Sequence, residues 1–306
     1  MVYRIVIRRT LLSITVAITV SAIGFALLRL SGDLAQILAG QQATLEEVEV
    51  IRKAYGLDRP LQKQYLDWLK HMAVGDLGQS LFFQRPVASL LFERLPTTMI
   101  LGCLSLALAM AIAVPLGIMG AIWKGSMVDR TALILSSLGQ SMPSFWVALL
   151  LVWLFGVTLQ WTPISGSQGW RNFILPSITL AFYSLPIILR LTRAEMIEVL
   201  QSDYLRTARA KGLTRFSIVF KHALRNAMRP VVAVGAVQLG YLLGGSIVIE
   251  TIFAINGIGY LAWESILRSD FPIVQSILVV VSLIYVIMTL AADLLNAVLD
   301  PRQRGI

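Results

Sequence analysis

Charge disappears from the chain in six long stretches. Thr10–Leu28, Thr97–Trp123, Thr131–Leu159, Phe173–Leu189, Val231–Ile249 and Ile273–Ala292 contain no Asp, Glu, Lys, Arg or His. A helix rises about 1.5 Å per residue, so roughly 20 residues cross a hydrocarbon layer of about 30 Å. The shortest runs just reach across, and the longer ones tilt or place their ends among the headgroups. One such run could be a buried core helix. Six in one chain predict an all-α membrane protein with about six transmembrane helices in a single domain, 1–306. The first run follows Arg4, Arg8 and Arg9 as a signal peptide would. It is longer than a signal core, however, and reaches Arg29 without a small-x-small cleavage site, so it reads as a retained helix. Pro115, Pro143 and Pro186 are expected to bend their helices, more for packing shape than for gating.

Two polar insertions interrupt this pattern, 31–96 and 190–229. In the first, Thr44 and Glu47 form a capping box, and Gly56 ends the helix they start. A second helix begins near Asp58 and Pro60 and places Leu61, Tyr65, Trp68, Leu69 and Met72 on one face. That face suits either the membrane surface or an external partner. In the second insertion, Ser202 is placed to cap a helix Asp203–Lys211, with Arg209 and Lys211 in its last turn and Gly212 as a left-handed stop. About 10 residues are too few for a helix to stand alone in water, so it must pack on something. Ala208 and Ala210 offer a low surface for close approach, and Tyr204 and Leu205 offer knobs. A further helix is expected from Thr214 to near Pro230, with Phe216, Val219, Phe220, Ala223, Leu224 and Ala227 as its apolar stripe. Arg215, Lys221 and Arg225 stand ready for phosphates. By residue chemistry, a loop clinging to anionic lipid and a docking surface for a protein fit equally.

The charges orient the spans. One side carries Arg4, Arg8, Arg9, Lys124, Arg130, nine Lys or Arg from Arg190 to Arg229, then Arg302 and Arg304; the opposite short loops carry only Arg171 and Arg268. By the positive-inside rule both termini are cytoplasmic, 31–96 is extracytoplasmic and 190–229 is cytoplasmic. This distribution accounts for the net charge of +9 without any nucleic acid. The composition agrees with lipid as solvent: 57% hydrophobic, 14% charged, and a mean hydropathy of +0.75. The one cysteine, Cys103, excludes an internal disulfide and offers no metal framework.

Ion-driven transporters commonly bury ionisable groups inside the bilayer, and these runs hold none, although backbone carbonyls can also bind sodium. The chain has no Gly-x4-Gly-Lys-Ser/Thr phosphate loop and no nucleophile–base pair, so it does not read as an enzyme by itself. Uphill transport would draw its energy from another subunit. A self-sufficient channel or ion-coupled transporter is the alternative of a different class.

The stretch Asp203-Tyr204-Leu205-Arg206-Thr207-Ala208-Arg209-Ala210-Lys211-Gly212-Leu213 resembles the cytoplasmic EAA motif of ABC importer permeases. It is most similar to the dipeptide/oligopeptide/nickel branch, with Thr207 where the general motif has Glu. His222-Ala223-Leu224-Arg225-Asn226-Ala227, Gly56-Leu57-Asp58-Arg59-Pro60-Leu61, Gly75-Asp76-Leu77-Gly78-Gln79-Ser80 and Ser141-Met142-Pro143-Ser144-Phe145-Trp146 fit the same branch. So do Glu250-Thr251-Ile252-Phe253 and the closing Asp293–Arg302 stretch, while Asn256 stands where relatives often carry Pro. The resemblance implies a type I importer permease fold in a bacterial inner membrane. It also implies a second homologous permease, two ABC ATPases that hold ATP and magnesium, and an extracytoplasmic solute-binding protein. No cofactor is expected on this chain. Asp203, Tyr204, Leu205, Thr207, Ala208, Ala210, Gly212 and Leu213 would then form the ATPase-coupling segment. Di- or oligopeptides lead as solute, ahead of a nickel chelate, glutathione or another small solute.

Pathway candidates are the polar positions of the middle spans: Ser137, Gln140 and Ser141 before Pro143, then Gln238 and Ser246. For Gln140 and Gln238 a cavity-lining role and a helix-to-helix hydrogen bond both fit. Gly240 and Gly244 read as a small-xxx-small packing pair. The topology is testable by thiol labelling. Cysteines introduced as Gln42→Cys and Ser167→Cys should react with an impermeant reagent from outside, and Gln303→Cys should not; labelling at 303 in intact cells overturns the six-span, ends-inside arrangement.

Overall fold

The computed structural model describes residues 2–30, 32–40 and 42–299. Arg302, Gln303, Arg304 and the closing Asp300-Pro301-Arg302 lie outside the described residues. The backbone is helical almost throughout. After α1 (Val2–Leu30), three short helices fill the first insertion: α2 (Leu34–Ala39), α3 (Leu45–Ala54) and α4 (Leu61–Ala73). The expected capping box is present, with Glu47 N–H donating to Thr44 Oγ1 and Thr44 N–H to Glu47 Oε2. Gly56, at φ +64°, ends α3. The sequence reading passed over α2, whose cap Asp33 accepts from Ala35 N–H and pairs with Arg52 of α3. That guanidinium holds the Asp33 carboxyl below the usual carboxylate range. The apolar face of α4 is partly spent on α1: Tyr65 and Trp68 pack against Phe25 with centroids 5.5 and 6.0 Å apart, and the Tyr65 hydroxyl meets that of Ser21 at 2.7 Å.

The remaining helices are α5 (Val87–Ile122), α6 (Met127–Ser141), α7 (Ser144–Leu151), α8 (Ile174–Leu200), α9 (Asp203–Ala210), α10 (Leu224–Ile252), α11 (Ile258–Leu267) and α12 (Phe271–Leu299). A π-helical stretch, Val152–Thr158, extends α7, and another, Ser217–Ala223, leads into α10. Among the described residues, five helices are long and apolar enough to span by themselves: within α1, α5, α8 with the turn before it, α10 with its π-helical lead, and α12.

The run Thr131–Leu159 bends at Pro143, as expected, and the bend is a full break in the helix. It is two helices bent by 103°. Pro143 has no N–H to give and forces the residue before it out of the helical region, and Met142 is indeed extended at φ −89°, ψ 129°. Pro115 and Pro186 instead lie within continuous helices. So does Pro230, and the helix expected to end there runs on through Ile252. One missing donor does not stop a helix whose Ala223, Ala227 and Val231 are all fully buried along one face.

Packing gives the bent pair its direction. The last turns of α5 and α8 both reach the cluster that holds α9, so these helices run parallel toward what we call the α9 end. The start of α8 packs with α7 and Phe253 at the opposite, far end. The chain must therefore return between them, and α6 with α7 carries it across. Small residues let these helices close up. A Cβ on Gly117 would lie 2.8 Å from that of Thr192, and one on Gly139 2.8 Å from the Pro186 ring. Gly240 packs on Tyr285 of α12, as its small-xxx-small spacing predicts.

Two carboxylates lie fully buried at the far end, just outside the charge-free runs. Glu250, in the last turn of α10, accepts from Thr98 Oγ1 at 2.8 Å, Ser246 Oγ at 2.9 Å and Tyr260 N–H at 3.0 Å. Thr98 in turn accepts from Ile258 N–H at 2.8 Å, so one side chain ties α5, α10 and α11 together. Gly257 lies so close that any Cβ there would collide with Glu250 and Thr98. Asp270, before α12, accepts from Ser80 Oγ at 2.5 Å and Phe82 N–H at 3.1 Å, anchoring the end of the first insertion. Truncating Glu250 orphans several buried donors, at about 1–3 kcal/mol for each unsatisfied group. Glu250→Ala and Gly257→Val should therefore lower the melting temperature of the detergent-purified protein and its folded yield, with Glu250→Gln intermediate. Unchanged melting would remove this node from the fold's supports.

Candidate functional site

Helix α9 lies across the ends of α5, α8 and α10. Ser202 occupies the N-cap position with extended backbone, but its hydroxyl donates to Val199 O at 2.6 Å instead of capping. At the other end Gly212 takes φ +77°, which lets Leu213 N–H return to Ala208 O at 3.3 Å. Leu205 is fully buried and Ala208 nearly so, in a cluster with Ile118, Ala121, Met196, Ile218 and Val219. This corrects the reading of Leu205 as a knob and Ala208 as a low surface for a partner: both face the chain's own interior. Both buried residues of the helix lie on that side, and the end of the bundle supplies the cover that a short helix needs.

The opposite face stays open. Asp203, Arg206, Thr207, Ala210 and Lys211 are exposed, with Asp203 and Arg206 3.7 Å apart. Tyr204 is also exposed, its hydroxyl accepting from Asn226 Nδ2 at 2.7 Å. Arg209 donates to Leu200 O at 2.9 Å, fixing α9 to the end of α8. Beyond Gly212 and Leu213, Thr214 caps the following helix by accepting from Ser217 N–H.

The pathway candidates divide. Gln140, Ser137 and Ser141 are exposed on α6, although both serine hydroxyls donate to their own helix, to Leu133 O and Ser137 O. Gln238 and Ser246 are buried, and Ser246 belongs to the Glu250 node, so neither lines an open surface. Sequence reasoning missed three features of this region. Arg193 of α8 donates through Nε and Nη2 to the buried Asp129 at 2.5 and 2.9 Å, locking the start of α6 to α8 near the α9 end. Tyr183 of α8 and Tyr241 of α10 stack with parallel rings, centroids 5.7 Å apart and hydroxyls 3.0 Å apart. Arg190 is exposed on the face of α8 that also carries Tyr183. The Ser126-x-x-Asp129 cap was legible, but nothing local pairs Asp129 with a residue 64 positions away. The tyrosines were visible as the polar tips of otherwise apolar runs.

Comparison with known proteins gives concordant matches. Residues 2–102 match the N-terminal family of binding-protein-dependent transport system membrane components, and residues 113–305 match the binding-protein-dependent transport system inner membrane component family. The glutathione transport system permease protein GsiC of Escherichia coli K12 is 38% identical over 300 residues, 98% of each chain. A protein of Brucella melitensis, provisionally named a peptide transport system permease, is 38% identical over 313 residues, 99% of each. Among solved structures, a chain of the inward-facing MetNI methionine ABC transporter superposes with a TM-score of 0.59 at 19% identity, covering 69% of this chain and 96% of that one. That likeness speaks for the fold. With the helical fold, the spans and these full-length relatives in agreement, the chain belongs to the inner-membrane components of binding-protein-dependent transport systems, as a multi-pass permease of an ABC importer.

Proposed function

We propose that this permease pairs with a second, homologous permease, that two ABC ATPases bind ATP and magnesium at its α9 end, and that an extracytoplasmic binding protein delivers solute at its far end. Both termini and the α9 end are then cytoplasmic, as the Lys and Arg distribution requires. The observation that carries the reading is the seating of α9. Its buried face is fixed to α5, α8 and α10, while Asp203, Arg206, Thr207 and Ala210 stand outward as a short ridge. A partner gripping that ridge would move three helices together rather than deflect a loop. Leu205 and Ala208 belong to the coupling segment as its base, and Gly212 as its stop. The names of the relatives support a peptide or glutathione as the solute. A self-sufficient transporter would leave the ridge without a use.

Two expectations test this. Purified alone in lipid, the chain should neither hydrolyse ATP nor accumulate solute against a sodium or proton gradient; gradient-driven uptake by the single chain would reverse the assignment. The faces of α9 should also separate by mutation. Thr207→Trp and Ala210→Trp should insert at parental levels yet lose transport and ATPase co-purification on the order of tenfold, the equivalent of about 1.4 kcal/mol at the interface. Leu205→Asp and Ala208→Trp should instead reduce the amount of folded permease, through a buried unpaired charge and through overpacking of about 1–3 kcal/mol. Normal ATPase retention in the outward-face variants would leave α9 a lipid-facing basic segment.

A further inference from the structure

One polar surface lies open at mid-depth. Tyr183, Ile187, Arg190 and Ala194 are all exposed and recur at helical spacing, so they form one stripe along α8. To one side of the stripe, Phe182, Pro186 and Arg193 meet α6; to the other, Leu180 and Tyr183 meet Leu242 and Tyr241 of α10. The stripe is therefore the floor of a groove walled by α6 and α10, with α5 behind it. Tyr183 and Tyr241 lie within about two residues, roughly 3 Å, of the centres of their charge-free runs. Gln140 stands at the same level, because its neighbour Gly139 packs on Phe182 and Pro186, and its amide makes no hydrogen bond among the described residues.

Exposed hydroxyl and amide groups at the middle of a bilayer are costly against lipid and ordinary against water or a polar solute. Each tyrosine hydroxyl has one donor and lone pairs to accept with. One of the two donates to the other across 3.0 Å, so the pair presents one free O–H beside one free acceptor. That couple complements an amide, whose carbonyl accepts where its N–H donates. Arg190 lies seven residues along the same stripe, about 10 Å toward the α9 end. It forms no ion pair among the described residues, and its Nε reaches only Pro186 O. We infer that Tyr183, Tyr241 and Gln140 form an amide-binding station in a water-filled groove, with Arg190 as its anion-binding end. The solute is of the peptide class, with an amide and a carboxylate about one nanometre apart or less. This rests on the permease reading and names the residues through which it would act.

The test uses the complete transporter, with its partner permease, ATPases and binding protein, reconstituted in vesicles on a Cys103→Ser background. Tyr183→Cys, Tyr241→Cys and Gln140→Cys should react with a small charged thiol reagent about tenfold or more faster than Leu283→Cys, exposed at mid-depth on α12, because only a hydrated thiol ionises. Equal, slow reaction at all four positions means that lipid or the second permease covers the groove, and the inference fails. The doubly substituted Tyr183→Phe, Tyr241→Phe transporter keeps both rings. It and Arg190→Gln should each lower uptake of trialanine or glutathione about fivefold or more, the loss of one or two hydrogen bonds, with the ATPases still co-purifying. Parental uptake in these variants overturns the station while leaving the permease reading intact. If the parental transporter carries neither trialanine nor glutathione, the peptide-class solute falls both here and in the proposed function.

Discussion

Nothing in the hydrocarbon layer can hydrogen-bond to a backbone or side-chain polar group, and that single constraint shapes this molecule. It makes the spans helical, since a helix satisfies its own backbone. It also decides where the polar side chains go. Glu250 is buried only together with the hydroxyls of Thr98 and Ser246 and the N–H of Tyr260. Asp129 is buried against the guanidinium of Arg193 and the N–H of Gly125. Each of these groups joins helices far apart in sequence, so satisfying them also fixes the bundle. The apolar remainder gains no hydrophobic driving force for helix association in lipid. Close approach at Gly117 and Gly139 supplies the contact area that holds α5, α6 and α8 together.

The two ends of the bundle use the constraint differently. At the far end, the buried carboxylates of Glu250 and Asp270 each gather loops and helix ends around a set of donors of their own. At the α9 end an apolar contact works beside the Asp129–Arg193 pair: Leu205 and Ala208 plug a cluster made from the ends of α5, α8 and the helix leading into α10. A short helix fixed in this way has no hinge of its own. In the proposed coupling, a displacement of α9 is shared at once by α5, which runs from this end to the far one, and by α8, whose middle carries the exposed tyrosine.

Much of this was legible along the chain. The charge-free runs located the spans, and Thr44, Glu47, Gly56 and Gly212 marked helix ends where the backbone has them. These are local signals, set by a few neighbouring residues and the rise of a helix. The errors were also physical. Pro143 announces a bend, but hydropathy does not register that the bend is a 103° break, and Pro230 reads as a stop because local propensity does not register the packing that carries a helix past it. Leu205 and Ala208 were assigned to a partner because a sequence shows which residues share a helix face but not what covers that face.

Sequence alone thus determined that the chain crosses a membrane as a helical bundle, and its ordered motifs placed it among importer permeases. Only the tertiary structure decided which side of α9 is base and which is ridge, that Gln238 and Ser246 are buried, and that Tyr183 meets Tyr241. Spacing within a helix is fixed by 3.6 residues per turn and can be read from one segment. A contact between Asp129 and Arg193, or between two tyrosines 58 positions apart, depends on how whole helices settle against one another, and no single segment carries that information.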